Sequence, residues 1–588
     1  MSNPRVIPDP SVAGVVTFDI LINGTAIRPE VEVLSISIDK EVNKIPSALL
    51  VIRDGNAAEE GFNESDGNNF LPGNTIEIKA GRDGANQTLF KGIIICHKIR
   101  IRENGSSTLT LECKDECVRL SLGRKNKYFT NTTDSDAISQ ILGGLMGKVE
   151  STSVTHDELV QFHTTDWDFI IMRAEANGIL VIPDDGKVNI QAPASDAAAL
   201  SVVYGSTILA LEAEMDARHQ WKSVKSSAWN YTSQQLEEAE VNSVGFSDSQ
   251  GDFSPVQLAD AAAPAQFELR HSGQLSASET ETWASAAMLK SRMAKIRGYA
   301  RFNGFSDLKP GQWLELRGVG KRFEGTAFVS GIRHDISAGA WFTAAQFGME
   351  PEWHAGKPQV QDFPAGGLTP AIHGLQTGVV VQLENDPNGE DRILVKIPTL
   401  DNNARGIWSR MACLDAGNDR GSFFRPEIGD EVVLGFVNDD PREAIVLGHL
   451  NSKAKPAHWQ AQDDNPQKGF FTRSQLLLQF DDDQRIITIS TPASNRIVLD
   501  ENDTSITLED QNGNKIIMNA NGIEISSPGD IKISAQGNIE AKATMDLSAE
   551  GLNTTVKANA SLSLNGQASA SLESSGVTQI KGSMLTLN

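Results

Sequence analysis

Ile497-Val-Leu499, Ile506-Thr-Leu508, Ile516-Ile-Met518, Ile523-Glu-Ile525, Ile531-Lys-Ile533 and Ile539-Glu-Ala541 follow one another through the last hundred residues, each followed by polar residues, often Gly or Asn. The runs continue at Leu547, Val556, Leu562, Leu572, Ile580 and Leu585, and their steps settle near eight residues. Apolar residues at alternate positions read as short strands with one buried face. A fixed short period reads as a stacked, solenoid-type architecture. Each run offers only two or three inward side chains, too few to close a core in one chain, and coils of single-chain β-helices are longer, roughly 20 residues or more. The octad therefore predicts that three chains share one narrow core, each adding one strand per layer. Strands ~4.8 Å apart make this a rod of order 60 Å, without exposed sheet edges. A disordered Ser/Asn/Ala-rich tail is the alternative; it would not hold Ile and Leu at odd-even spacing through twelve repeats.

Composition changes along the chain in the same sense. All nine Trp, four Tyr, four Cys and ten His lie before residue 460, and no aromatic residue follows Phe480. Rings do not fit a narrow prism interior. The whole chain has 588 residues, room for three or four domains, and a net charge of −24. That charge repels polyanions and argues against a nucleic-acid partner. Four Cys are too few for a disulfide framework, so a reducing cytosol is the expected place of synthesis. No signal peptide and no apolar run of ~20 residues is visible, so a soluble chain is expected.

Upstream of the repeat, residues 372–450 read as a small OB-type barrel, with Val379, Val381 and Leu383 alternating, then Ile393, Val395 and Ile397. Residues 1–365 hold the helices. Thr165 is the expected cap of a helix over 166–177, Ser278 with Glu281 a capping box for one running to Gly298, and a third spans about 134–146. The strand pattern there repeats itself: Pro72-Gly73, Phe90-Lys-Gly92 and His97 are echoed by Pro310-Gly311, Phe323-Glu-Gly325 and His334. Two similar β-barrels, about 15–120 and 200–350, with a helical insert at 130–180, are the expectation. A linker at 451–470 and the spike at 471–588 complete the chain.

Gly143-Gly-Leu-Met-Gly-Lys148 is one residue short of a phosphate loop, lacks the following Ser or Thr, and reads as a helix stop. Gly318-Val-Gly-Lys321 reads as a hairpin turn. Cys113 and Cys117 with Cys96-His97 lack a second compact ligand pair for zinc, and Cys113 alternates with Leu109 and Leu111 as an inward residue would. His156, His163, Asp166 and Asp168 form no set with a nucleophile; the two Asp belong to the first turn of a helix. Asp481-Asp-Asp483 reads as a solvated turn, with a bound cation as the alternative. No catalytic residue, cofactor or metal is assigned.

Arg425-Pro-Glu-Ile-Gly-Asp-Glu-Val-Val-Leu-Gly-Phe436, Asp440-Pro-Arg442 and Ile445-Val-Leu-Gly448 resemble the OB module of VgrG spike proteins of type VI secretion and related contractile injection particles. Thr165-Asp-Trp-Asp-Phe-Ile-Ile-Met-Arg-Ala-Glu-Ala-Asn-Gly178, Asp216-Ala-Arg-His-Gln220 and Gly331-Ile-Arg-His-Asp335 resemble that family's phage-hub-like N-terminal part. The resemblance implies a mainly β homotrimer with an intertwined triple-stranded β-helix prism. It implies that the trimer closes a hexameric inner tube, contacts baseplate proteins, carries a conical PAAR-type tip protein and effector cargo, and meets the target membrane transiently when fired. Too few residues separate Gly448 from Phe470 for an inserted enzyme, and no His follows His458 to bind iron at an apex. The point is therefore expected from another chain, landing on Ser583, Met584, Leu585, Thr586, Leu587 and Asn588. A cytoplasmic protein assembled into an injection particle is implied. A passive trimeric adhesin or tail fibre, and a β-solenoid enzyme acting on polysaccharide, are the alternative functions; the upstream motifs and the aromatic-free tail argue against them.

Overall fold

The computed structural model describes residues 14–587 except 104, 195–196, 247–248, 263, 265 and 404. Two compact units divide the chain, one ending at Gly448 and the other beginning at His449.

The first unit is built on a thirteen-stranded sheet. Its first half, including strands Val33–Glu41, Ser47–Arg53, Thr75–Arg82, Gln87–Arg100 and Thr108–Lys114, wraps a core of Ile38, Leu50, Ile78, Phe90 and Leu111. Its second half, including Ile296–Asn303, Trp313–Arg317, Gly325–Ser337 and Ala340–Phe347, wraps a separate core of Phe302, Leu314, Val329 and Phe347. The halves are stitched edge to edge, Glu41 opposite Gly331 through Ser35 opposite Ser337, antiparallel.

The internal repeat is visible atom by atom. The Gly73 N–H donates to the Ile94 carbonyl at 2.8 Å and Ile94 N–H to Asn74 at 2.9 Å; Gly311 and Val329, with Gln312, repeat both bonds at 2.8 Å. Both glycines have positive φ, 96° and 89°, which only glycine adopts freely. A bulge follows at the same place in each long strand, between Ile94 and Cys96 and between Val329 and Gly331. This register puts His97 level with Ile332, so His334 is two residues further on and is not its counterpart. Pairing by residue type misled here because the bulges and hairpins, not the histidines, carry the repeat.

Helices cross the first unit. Asp166–Ala176 begins at Thr165, whose hydroxyl accepts the Asp168 amide, an N-cap contribution of about 1 kcal/mol. The helix beginning at Asp134 ends at Leu142, where Gly143 turns with φ 51°. The long helix is Ala277–Met293, capped by Ser276 through the Glu279 amide. Its cap therefore lies two residues before the expected Ser278, and Gly298 belongs to the following strand. An unexpected helix, Pro255–Ala262, has a reciprocal box: the Ser254 hydroxyl accepts from the Gln257 amide while Gln257 accepts from the Ser254 amide.

A closed five-stranded barrel follows, with strands Gln376–Gln382, Ile393–Lys396, Ile407–Met411, Glu431–Phe436 and Ala444–His449. Val380, Ile393, Val395, Val432, Leu434 and Val446 fill it. The alternation read through Val379 and Val381 is one residue out of phase: Gly378 and Val380 point inward, and a bulge between Val380 and Gln382 resets the strand.

The second unit holds one seven-stranded sheet of five-residue strands, from Gln467–Phe471 to Gly522–Ser526. It begins inside the stretch read as linker. It is an antiparallel meander within one chain, which corrects the reading of one strand per layer over 467–526. Turn residues such as Asp482–Gln484 and Asn502–Thr504 lengthen the step to about ten residues and let each strand fold back on its predecessor. No strand is assigned beyond Ser526 among the described residues, where the step shortens to eight.

Candidate functional site

The register of the meander sorts its side chains into two unlike faces. One column runs Phe470, Leu478, Ile489, Ile497, Leu508, Ile516, Ile525, each directly opposite the next. Beside it on the same face runs Lys468, Phe480, Ile487, Leu499, Ile506, Met518, Ile523. The opposite face carries Gln479, Thr488, Val498, Thr507, Ile517 and Glu524, flanked by the Arg496–Glu509 ion pair at 2.7 Å.

An aliphatic face of this size belongs in a core, yet within one chain it is uncovered: Ile497 remains 38% exposed and Ile523 71%. Sheets with one apolar face are stable only when that face is packed. Further along, Ile531, Ile539, Leu547, Leu552, Val556, Leu562 and Leu572 are exposed, in backbone with no strand partner among the described residues. Met584, Leu585 and Leu587 are exposed too, as are Ser583 and Thr586; Asn588 lies outside the described residues.

The residues weighed for chemistry are dispersed. Asp134, its side chain 1% exposed, is held by Arg173 through two bonds of 2.5 and 3.0 Å, by Asn177 at 2.8 Å and by His156 at 3.1 Å. Burial alone would raise its pKa; the bonds and charge of Arg173, then Asn177 and His156, hold it below the usual carboxylate range. Asp168 meets His354 at 2.8 Å, Asp166 meets Lys125 at 2.5 Å, and His163 meets Asp362 at 2.7 Å. These are ties between elements, each carboxylate already matched. Sequence reading missed His354 and Glu175, which takes the His354 amide and Lys290 at 2.8 Å each; a lone Glu late in a helix gave no signal.

Cys113 faces the first core and Cys117 the helical one. Burial pushes the Cys113 thiol up to about 12 and raises that of Cys117 as well, which opposes thiolate ligation. Among the described residues no group of three or more His, Cys, Asp or Glu is placed to hold a metal ion. Asp481 accepts the Gln484 amide at 2.9 Å and Asp482 pairs with Lys468, making this stretch a hairpin turn. A cleft of about 790 Å³ on the joined sheet is lined by Asp39, Arg297, Arg333 and Asp335 among others, and its charges pair with one another, Arg333 with Asp335 at 3.1 Å and Arg297 with Glu214 at 2.6 Å. No described helix is long and apolar enough to cross a membrane.

Comparison with known proteins agrees with this division. Residues 376–450 match the type VI secretion system/phage-baseplate injector OB domain, and 486–578 the phage baseplate V C-terminal trimerisation domain. Residues 12–338 match the Alg8 N-terminal domain. The type VI secretion system spike protein VgrG1b of Pseudomonas aeruginosa is 25% identical over 199 residues, 32% of this chain and 26% of its own length; the chain thus spans about a quarter of that relative. Among solved structures, a tail protein of Neisseria meningitidis is 15% identical with a TM-score of 0.42, covering 58% of this chain and 98% of its own. An E. coli type VI secretion component is 12% identical with a TM-score of 0.35, covering 73% and 99%. An OB injector barrel followed by a trimerisation domain defines a baseplate spike. The chain belongs, through residues 12–338, to the family of the Alg8 N-terminal domain, and its residues 376–450 and 486–578 mark it as a VgrG-type spike protein.

Proposed function

We propose that three copies of this chain form the non-enzymatic spike of a contractile injection machine. The observation that carries this reading is the uncovered aliphatic face of the 467–526 sheet: three such faces turned inward build a closed, dry prism, with the polar faces and the Arg496–Glu509 pairs outside. Below Ser526 the eight-residue repeats continue the prism by pairing between chains. Inter-chain hydrogen bonding gives such a rod the stiffness that puncturing requires.

The hub-like first unit supports the role in a second way. Two similar β halves per chain give six similar units in a trimer, which matches the sixfold end of an inner tube despite the mismatch in symmetry. In this reading the trimer caps that tube and meets the baseplate, and a conical PAAR-type tip protein sits on Ser583–Asn588, where Met584, Leu585 and Leu587 offer an apolar landing surface. Made in the cytoplasm and assembled into the particle, the spike crosses the target envelope with effector cargo when the sheath contracts.

Static light scattering on the purified chain tests the trimer, and adding tube and tip proteins tests the two ends. A monomer with the 467–587 region intact overturns the proposal.

A further inference from the structure

Where the helices Asp134–Leu142 and Asp166–Ala176 meet the first turns of Ala277–Met293, the first unit leaves a cavity of about 200 Å³. Asp134, Arg173, Asn177, Leu275, Glu279 and Trp283 are among its walls. Its charges do not balance. Asp134 is matched by Arg173 through bonds of 2.5 and 3.0 Å. Glu279 lies 3.9 Å from the nearest cationic atom, His156 Nδ1, which is too far for a hydrogen bond. No donor reaches its carboxylate among the described residues, although only 27% of the side chain is exposed. With the imidazoles neutral, two carboxylates against one guanidinium leave this wall one positive charge short. The neighbouring carboxylates are matched, Asp168 by His354 and Glu175 by Lys290, at 2.8 Å each. A largely buried carboxylate without a partner is costly and marks a place where a ligand completes the structure.

The chemistry of the wall says which ligand. Glu279 and Trp283 stand four residues apart on one helix, so they share a face, and both line the cavity. The indole N–H of Trp283 has no acceptor among the described residues. A carboxylate beside an indole is the pairing that holds a guanidinium: the carboxylate accepts its parallel N–H bonds and the ring takes its planar face. Leu275 and Val154 supply apolar wall for the stem. The volume suits one long side chain and falls below the roughly 300–1,000 Å³ of small-molecule sites. A metal ion fits less well, since among the described residues no group of three or more His, Cys, Asp or Glu is placed to hold one.

We infer that this cavity is a socket for an arginine side chain of a partner protein. The net charge of −24 draws basic partners, and an arginine seated in a walled pocket is a common anchor of protein interfaces. Every wall residue comes from one chain, so the socket stands whether or not three copies assemble as proposed above.

Fluorine NMR of the full-length chain carrying fluorotryptophan tests this, with Trp283 assigned from the Trp283→Phe variant. The probe is N-acetyl-arginine methylamide, and the control is its neutral citrulline analogue. The arginine probe is expected to shift the Trp283 resonance saturably, with half-saturation in the millimolar range of a single anchor, while the other eight of the nine tryptophans stay in place. The citrulline probe is expected to give no saturable shift, and Glu279→Gln to weaken arginine binding at least about tenfold. The other eight resonances also report whether that variant is folded; should it not fold, arginine against citrulline on the natural chain decides. No saturable shift, an equal shift from citrulline, or unchanged affinity in folded Glu279→Gln overturns the inference. Free arginine binding more than about tenfold tighter than the blocked probe overturns the assignment to a partner protein, because the site then reads a whole amino acid.

Discussion

Ile497→Asp strikes the middle of the apolar column, between Ile489 and Leu508. In one chain Ile497 is still 38% exposed, so the trimer gains only that remainder. At 1.5–3 kcal/mol for a fully buried isoleucine, this is roughly 0.6–1.1 kcal/mol per copy. The carboxylate matters more. Near a threefold axis, three aspartates would enter a dry core with no cation opposite, each at an effective penalty of several kcal/mol. The sum is at least about 10 kcal/mol per trimer, or roughly seven orders of magnitude in the assembly constant. Thr488→Asp is the matched control, since Thr488 lies on the polar face between Gln479 and Val498; its expected effect is within about 0.5 kcal/mol. Light scattering over a dilution series reads both. Ile497→Asp is expected to run as a monomer or aggregate at concentrations where Thr488→Asp and wild type stay assembled. If Ile497→Asp assembles like wild type, this face is not the inside of the prism.

Arg173→Ala strands the buried Asp134 carboxylate without its bidentate partner, and urea unfolding is expected to show a loss of about 3–5 kcal/mol in the first unit. His334 is fully buried beside Thr343, at 3.0 Å, and Trp341; burial, with a smaller contribution from Lys40, pushes its pKa from 6.5 down to about 3. The unfolded chain therefore takes up a proton that the folded chain refuses, so this contribution to stability is whole above about pH 6.5 and falls as pH drops towards 3. Denaturation at pH 6 and 4 is expected to show a shallower slope for His334→Gln than for wild type. Removing Ser583–Asn588 is expected to abolish tip-protein binding in a pull-down while the mass remains that of a trimer; retained binding refutes the landing-platform assignment.

Much of this architecture is written in local rules. The Thr165 cap, the Gly143 stop and the inward phase of Cys113 follow from spacing alone because a few residues decide each of them. The meander was harder. Ile497, Ile506 and Ile516 alternate in the same way whether the strand beside them comes from the same chain or another, so periodicity gives the face but not the partner. The turns hold part of that information: Asp481–Arg485 and Asp500–Thr504 are long enough to reverse the chain, with Arg485 and Thr504 at positive φ. The barrel phase at Val379 is not legible from alternation, because three successive valines erase the pattern that would set it. His354 reaches Asp168 across 186 positions, a contact that no local pattern announces.

The most direct measurement is the mass of the intact wild-type chain in solution by multi-angle light scattering, followed down to nanomolar concentration by mass photometry. Three chain masses, persisting on dilution, are expected of a protein whose aliphatic columns close only against two further copies. A well-folded single-chain mass, with the sheet from Gln467 to Ser526 intact, contradicts it.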